Sequence, residues 1–100
     1  MLIQNTTLYI EESVLMDCMA KLKSEYVAEL QSSEKFENVV FTEVLSNNEP
    51  QMRTYSIQVF CSGFNELKLW KESFQPKLES ITNSFSGKVL FFHSKMRVID

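Results

Sequence analysis

The sequence predicts an α+β domain in which one four-stranded antiparallel sheet carries two helices on a single face. Three observations predict it. Four tracts alternate with the two-residue period of strands. Two others place apolar residues at the three- and four-residue spacings of amphipathic helices. The six follow one another as strand, helix, strand, strand, helix, strand.

The first tract, residues 2–10 of "MLIQNTTLYI", puts Leu2, Gln4, Thr6, Leu8 and Ile10 on one side and Ile3, Asn5, Thr7 and Tyr9 on the other. Its threonines and aromatic ring suit a pleated surface. Glu11 and Glu12 follow, placed for the positive end of a helix, and Ile10 is set to pack on Leu15 as a hydrophobic staple. Leu15, Cys18, Met19, Leu22, Tyr26 and Leu30 then recur at helical spacing, and this helix is expected to end within "QSSEKF", residues 31–36. The second strand is "NVVFTEVLS", 38–46. "NNEPQ", 47–51, is a turn cluster, and the third strand spans about 52–61 as "MRTYSIQVFC".

Ser62 and Gly63 break that strand. Asn65 is the expected helix cap, with Phe64 and Leu69 as its staple. Leu67, Trp70, Phe74, Leu78, Ile81 and Phe85 form one stripe, and Pro76 lies off it, where its missing N–H should kink or split the helix on the exposed side. Gly87 is the expected helix stop, and "KVLFFHSKMRVI", 88–99, is the last strand. This βαββαβ order is the ferredoxin-like arrangement, with strand order 4-1-3-2. At 100 residues the chain is one domain, 1–100.

Two helices cover one face of such a sheet and leave the other to something else. The covered face is expected to take Leu2, Thr6, Leu8 and Ile10; Val40 and Val44; Tyr55, Ile57 and Val59; and Leu90, Phe92, Met96 and Val98. The uncovered face then collects Asn5, Thr7 and Tyr9; Phe41 and Glu43; Ser56, Gln58 and Phe60; and Phe91, His93, Lys95 and Arg97. Aromatics there need shelter, and Gln58 and His93 need partners. A mixed face of this kind points to a partly wet second layer: another copy of the chain, a ligand, or both.

Composition sets bounds on partners. Apolar residues make up 44% and charged residues 23%, the balance of an ordinary globular domain. The net charge of −3 offers no footprint for a phosphate backbone, and no like-charge block reads as a binding tail. No apolar run approaches the roughly 20 residues of a membrane span. The opening lacks the basic start and unbroken apolar stretch of a secretory signal. The expectation is a cytoplasmic protein, with no nucleic-acid or membrane partner. Cys18 and Cys61 belong to no CxxC pattern and read as free buried thiols, ahead of a disulfide.

The strand "YSIQVFC", the later "FQPKLESITNSFSGKVLFF" and the opening "MLIQNTTLYI" together resemble the domain-of-unknown-function family forty-two eighty-six, short bacterial proteins similar to this chain from end to end. The shared features are an Asn and a Thr at the places of Asn5 and Thr7, a Tyr-Ser-x-Gln-x-Phe-Cys strand, a proline in the second helix and a Gly-Lys entry to the last strand. This chain departs at Gln4, where an aromatic is frequent, and at His93, where arginine is frequent. The resemblance implies kinship with the dimeric α+β barrel group, in which two ferredoxin-like sheets face each other. It brings no activity, substrate, cofactor or catalytic residue.

The lone His93 reads as a hydrogen-bonded sheet residue ahead of a ligand or an acid–base group, since a metal site wants several convergent ligands. Cys61 faces the helices while His93 is expected to point away, which separates that pair. Isolated Gly63 and Gly87 make no phosphate loop. Lys95 and Arg97 read as a solvated edge. The candidate ligand or dimer face is therefore Asn5, Thr7, Tyr9, Phe41, Gln58, Phe60, Phe91, His93 and Lys95, with no cofactor, no metal and no catalytic residue assigned. The leading reading is a homodimeric binding or assembly module. The alternative is a small cofactor-independent enzyme of the monooxygenase kind, acting on a small organic molecule in a cavity of at least about 300 Å³ lined by Asn5, Gln58 and His93. An RNA-binding module shares the strand order, but the third strand lacks the basic–Gly–aromatic pattern such modules use.

Overall fold

The computed structural model describes residues 1–45 and 51–100. Six main elements follow in the expected order: β1 (Leu2–Glu11), α1 (residues 15–33), β2 (Asn38–Val44), β3 (Met52–Cys61), α2 (residues 64–83) and β4 (Val89–Arg97). The sheet order is β2-β3-β1-β4, which is 4-1-3-2 read from the other edge, and every pairing is antiparallel. The fold is the ferredoxin-like α+β class. Of the turn "NNEPQ", Asn47 to Pro50 lie outside the described residues.

The two central strands behave as their alternation demands. Leu2, Gln4, Thr6, Leu8 and Ile10 of β1 are buried, as are Tyr55, Ile57, Val59 and Cys61 of β3. Onto them pack Cys18, Leu22, Tyr26 and Leu30 from α1 and Leu67, Trp70, Leu78 and Ile81 from α2. Both helices widen through a turn of π geometry, at Leu22–Val27 and at Trp70–Phe74. Each wide turn carries an aromatic that meets the other: Trp70 Nε1 donates to Tyr26 Oη at 2.7 Å within the core. The second wide turn closes just before exposed Pro76, whose absent N–H leaves the carbonyl four residues back to other donors. An ion pair between Lys77 and Glu29 ties the helices together at the surface.

The helix ends differ from expectation in two places. Gly63, in an extended conformation, precedes the first turn of α2, so Phe64 is already helical and Asn65 is not the cap. The helix also stops at Asn83, and Gly87 serves the turn into β4 instead, at φ +80°, a region that suits a residue without a side chain.

The outer strands carry the larger correction. Residues directly opposite in an antiparallel pair point to the same face. Thr6 is opposite His93, Leu8 opposite Phe91 and Gln4 opposite Lys95. Phe91, His93, Lys95 and, beyond them, Arg97 therefore lie on the helix side, while Leu90, Phe92, Ser94 and Met96 lie on the open side. Val59 faces Val39, Ile57 faces Phe41 and Tyr55 faces Glu43. This brings Phe41 and Glu43 to the helix side and sends Val40 and Val44 to the open one. Phe41 makes an edge-on contact with the Tyr55 ring, centroids 6.0 Å apart. The cause lies in the register, since a slip of one residue exchanges the faces of a whole strand. β2 and β4 have apolar residues in both phases, so their sequences do not fix it.

Candidate functional site

With the faces assigned, the open side of the sheet is a grid of four full rows read from β2 to β4, with Met52 and Glu11 as a partial fifth beyond the last. They run Asn38, Phe60, Ile3, Met96; then Val40, Gln58, Asn5, Ser94; then Thr42, Ser56, Thr7, Phe92; then Val44, Thr54, Tyr9, Leu90. None of the side chains in the four full rows is charged. The central four, Gln58, Asn5, Ser56 and Thr7, are all polar, and the surround is mostly apolar. Leu90 is 55% exposed, Phe92 63%, Val44 40% and Met96 39%. Tyr9 and Phe92 meet edge to face at 5.9 Å.

The polar centre is ordered by its own hydrogen bonds. Ser56 Oγ donates to Asn5 Oδ1 at 2.6 Å. The Asn5 amide donates to Thr7 Oγ1 at 3.2 Å and to Ser94 Oγ at 3.3 Å. Asn5 thus spends its side chain tying β3, β1 and β4 together. Of the residues singled out from sequence, Asn5, Thr7, Tyr9, Gln58 and Phe60 share this face; Phe41, Phe91, His93 and Lys95 do not.

The opposite face holds a second polar cluster that sequence reasoning did not assemble. His93 sits beneath the helices, its ring edge-on to Trp70 at 5.2 Å and tilted against Phe91 at 5.2 Å. Thr6 Oγ1 lies 2.9 Å from its Nδ1 and Gln4 Nε2 lies 3.2 Å from the same atom. Among the described residues its Nε2 is buried without a hydrogen-bond partner, as is Gln4 Oε1. Glu79 Oε2 of α2 stands 3.9 Å from that Nε2. Burial holds the imidazole below the ordinary histidine range; the Glu79 charge opposes this and Lys95 adds to it. The signal that finds this cluster is Gln4 itself. A glutamine and a threonine assigned to the covered face need polar partners there, and His93 on the neighbouring strand supplies them.

These placements change what chemistry the face can host. Asn5 and Gln58 point away from the helices and His93 points toward them, so the three cannot line one cavity. Cys61 shares the helix side with His93, but it lies opposite Leu2 while His93 lies opposite Thr6, about 13 Å along the strands. Among the described residues one surface hollow of about 190 Å³ opens beside Leu30, Phe36 and Val39, and one of about 280 Å³ beside Leu2, Phe64, Lys95 and Met96. Among the described residues no three potential metal ligands converge. Both cysteines are buried free thiols, and burial pushes the Cys18 thiol up to about 11. Among the described residues no helix is long and apolar enough to cross a membrane.

Comparison with known proteins places this geometry. A search of curated proteins gives no match. Among solved structures, the chain is similar to a dimeric ferredoxin-like protein from an uncultured marine organism, at 13% identity and TM-score 0.60, covering 99% of this chain and 95% of that one. A dimeric ferredoxin-like protein of unknown function from Thermobifida fusca is similar at 10% identity and TM-score 0.60, covering 98% and 92%. A de novo designed protein with a ferredoxin fold aligns at 11% identity and TM-score 0.57, covering 100% and 88%. At such identities the likeness speaks for the fold. The family model for the domain of unknown function DUF4286 matches residues 1–99, and the chain belongs to that family.

Proposed function

We propose that the chain acts as a homodimeric binding or assembly module in the bacterial cytoplasm, with two copies meeting through the open face of the sheet. The observation that carries this reading is the grid itself: four uncharged rows with a polar centre and an exposed apolar surround. A solvated sheet face normally presents charged residues, and a contiguous apolar patch on a soluble chain marks an interaction surface. Two solved proteins of this fold are described as dimeric, which supports a dimer here.

The pattern is self-complementary, as a two-fold contact requires. An axis through the centre sets apolar surround on apolar surround and sets the Asn5–Ser56–Thr7–Gln58 island against its twin. An amide both donates and accepts, so Gln58 can pair with the partner copy's polar centre. Such an island costs binding energy and returns a defined orientation, as buried polar residues do in coiled coils.

Sedimentation over a range of concentrations tests the reading. Wild type is expected to run as a dimer at micromolar concentration. Gln58→Leu is expected to keep association but lose its single stoichiometry, sedimenting as a mixture or precipitating. A wild type that stays monomeric at every concentration overturns the proposal.

A further inference from the structure

The cluster beneath the helices holds hydrogen-bonding capacity that the neutral histidine leaves unused. Nδ1 receives Thr6 Oγ1 at 2.9 Å and the Gln4 amide nitrogen at 3.2 Å. As Gln4 Nε2 can only donate, Nδ1 is the acceptor and the ring proton sits on Nε2. Among the described residues that N–H finds no acceptor within reach. Glu79 Oε2 stands 3.9 Å away, beyond the length of a hydrogen bond. Moving the proton to Nδ1 does not help. Even with the Gln4 amide turned over to accept from it, the bare Nε2 lone pair would face a carboxylate.

Adding a proton resolves both ends. The imidazolium keeps Nε2–H and gives it a charge, so a carboxylate on a partly exposed helical side chain has reason to close the gap. At the other end Nδ1–H needs an acceptor. Thr6 Oγ1, a hydroxyl free to rotate, becomes one by reversing the direction of its bond. The Gln4 amide, whose Oε1 is unpaired, turns over to offer oxygen in place of nitrogen.

We propose that His93 is a proton-operated clamp between β4 and α2. On protonation it draws Glu79 into a charge-assisted hydrogen bond, while Thr6 and Gln4 reverse their bonding beneath it. The charged and titratable groups around the ring are few. α2 presents Glu79, and β4 presents Lys95 on the same side of the strand. β1 presents only the neutral Gln4 and Thr6. α1 presents Tyr26, held behind Trp70 by the bond from the indole N–H. Burial and Lys95 work against protonation and Glu79 works for it, so Glu79 decides where the clamp closes.

The chain has one histidine, and an NMR titration therefore reads a single imidazole. The wild type and Glu79→Gln are compared, the substituted side chain lying at a partly exposed helical position that does not endanger the fold. Glu79→Gln is expected to weaken the proton affinity of His93 by about three- to tenfold, the usual effect of removing a close opposite charge. In the wild type, the Glu79 carboxyl carbon and the Gln4 side-chain amide are expected to inflect at the His93 midpoint. An unchanged midpoint in Glu79→Gln overturns the clamp. A moved midpoint without an inflection at Glu79 or Gln4 overturns it equally, because the charge would then act through space with no closure.

Discussion

Phe92 offers the sharpest test of the open face. It stands on β4 opposite Thr7, at the border of the polar centre, and is 63% exposed. A phenylalanine presents about 200 Å² when fully accessible, which leaves roughly 125 Å² to be covered by a partner. At about 25 cal/mol per Å², complete coverage is worth about 3 kcal/mol per protomer. Phe92→Ala keeps a part of that area, so the loss is about 2 kcal/mol per protomer. A two-fold interface counts it twice, giving about 4 kcal/mol, or roughly a thousandfold in the dimer dissociation constant. Sedimentation equilibrium measures that constant directly. Circular dichroism of the variant should match the wild type, because the ring makes no contribution to the core beneath the helices. A dissociation constant within threefold of the wild-type value would refute the assignment of Phe92 to a covered interface, since no reasonable coverage of 125 Å² is worth so little.

Two further predictions address the core. Tyr26→Phe removes the acceptor for the Trp70 indole N–H inside a buried site, and should cost about 1–3 kcal/mol in urea unfolding with an unchanged m-value; a loss under half a kcal/mol would show that the indole finds another acceptor. Cys18 and Cys61 are buried, and the Cys18 thiol is pushed up to about 11, so at pH 8 only about one Cys18 in a thousand is thiolate. Both thiols should react with a disulfide reagent no faster than the protein unfolds; labelling that outruns unfolding would place at least one of them at the surface.

How much of this was legible in the sequence depends on the strand. In β1 and β3 the alternation is clear along most of the strand: Leu8, Ile10 and Ile57 are flanked by Thr7, Tyr9, Glu11, Ser56 and Gln58 in the other phase, and one face is buried because only one can be. β2 and β4 are different. Val39 competes with Val40, and the run Val89-Leu90-Phe91-Phe92 is apolar in both phases. Local alternation carries no information there, and the phase is set by long-range register. One clue did reach across the sheet. Gln4 and Thr6 were legible as covered residues, and covered polar side chains must be answered by polar neighbours. Testing β4 in both phases against that demand selects the one that brings His93 under the helices, since the other offers Ser94 at the same level and leaves His93 outside. The helix ends were less legible for a separate reason. Asn65 satisfies the composition of a cap, but the backbone already turns at Gly63, and cap preference is weaker than the geometry of the strand exit.

The reversed phase of β4 alters the character of the open face more than its size. In the expected phase that face displayed His93, Lys95 and Arg97 along one edge, a charged margin suited to solvent or to an anionic ligand. In the observed phase the same edge displays Leu90, Phe92, Ser94 and Met96. The cations sit on the helix side and the apolar residues stand outside, three of them more than a third exposed. Exposure of this kind is unfavourable for an isolated chain and carries an aggregation risk at the edge of a sheet. A fold that tolerates it is stabilised when something covers it, and an uncharged self-complementary grid selects a second copy over a charged ligand. Under the proposed dimer, the polar centre keeps the contact from becoming indiscriminate. An off-centre stacking would bury Gln58 against Phe92 or Leu90, and its unpaired amide would cost about 1–3 kcal/mol. Centred stacking avoids that cost, so the residues that weaken the interface also restrict it to one geometry.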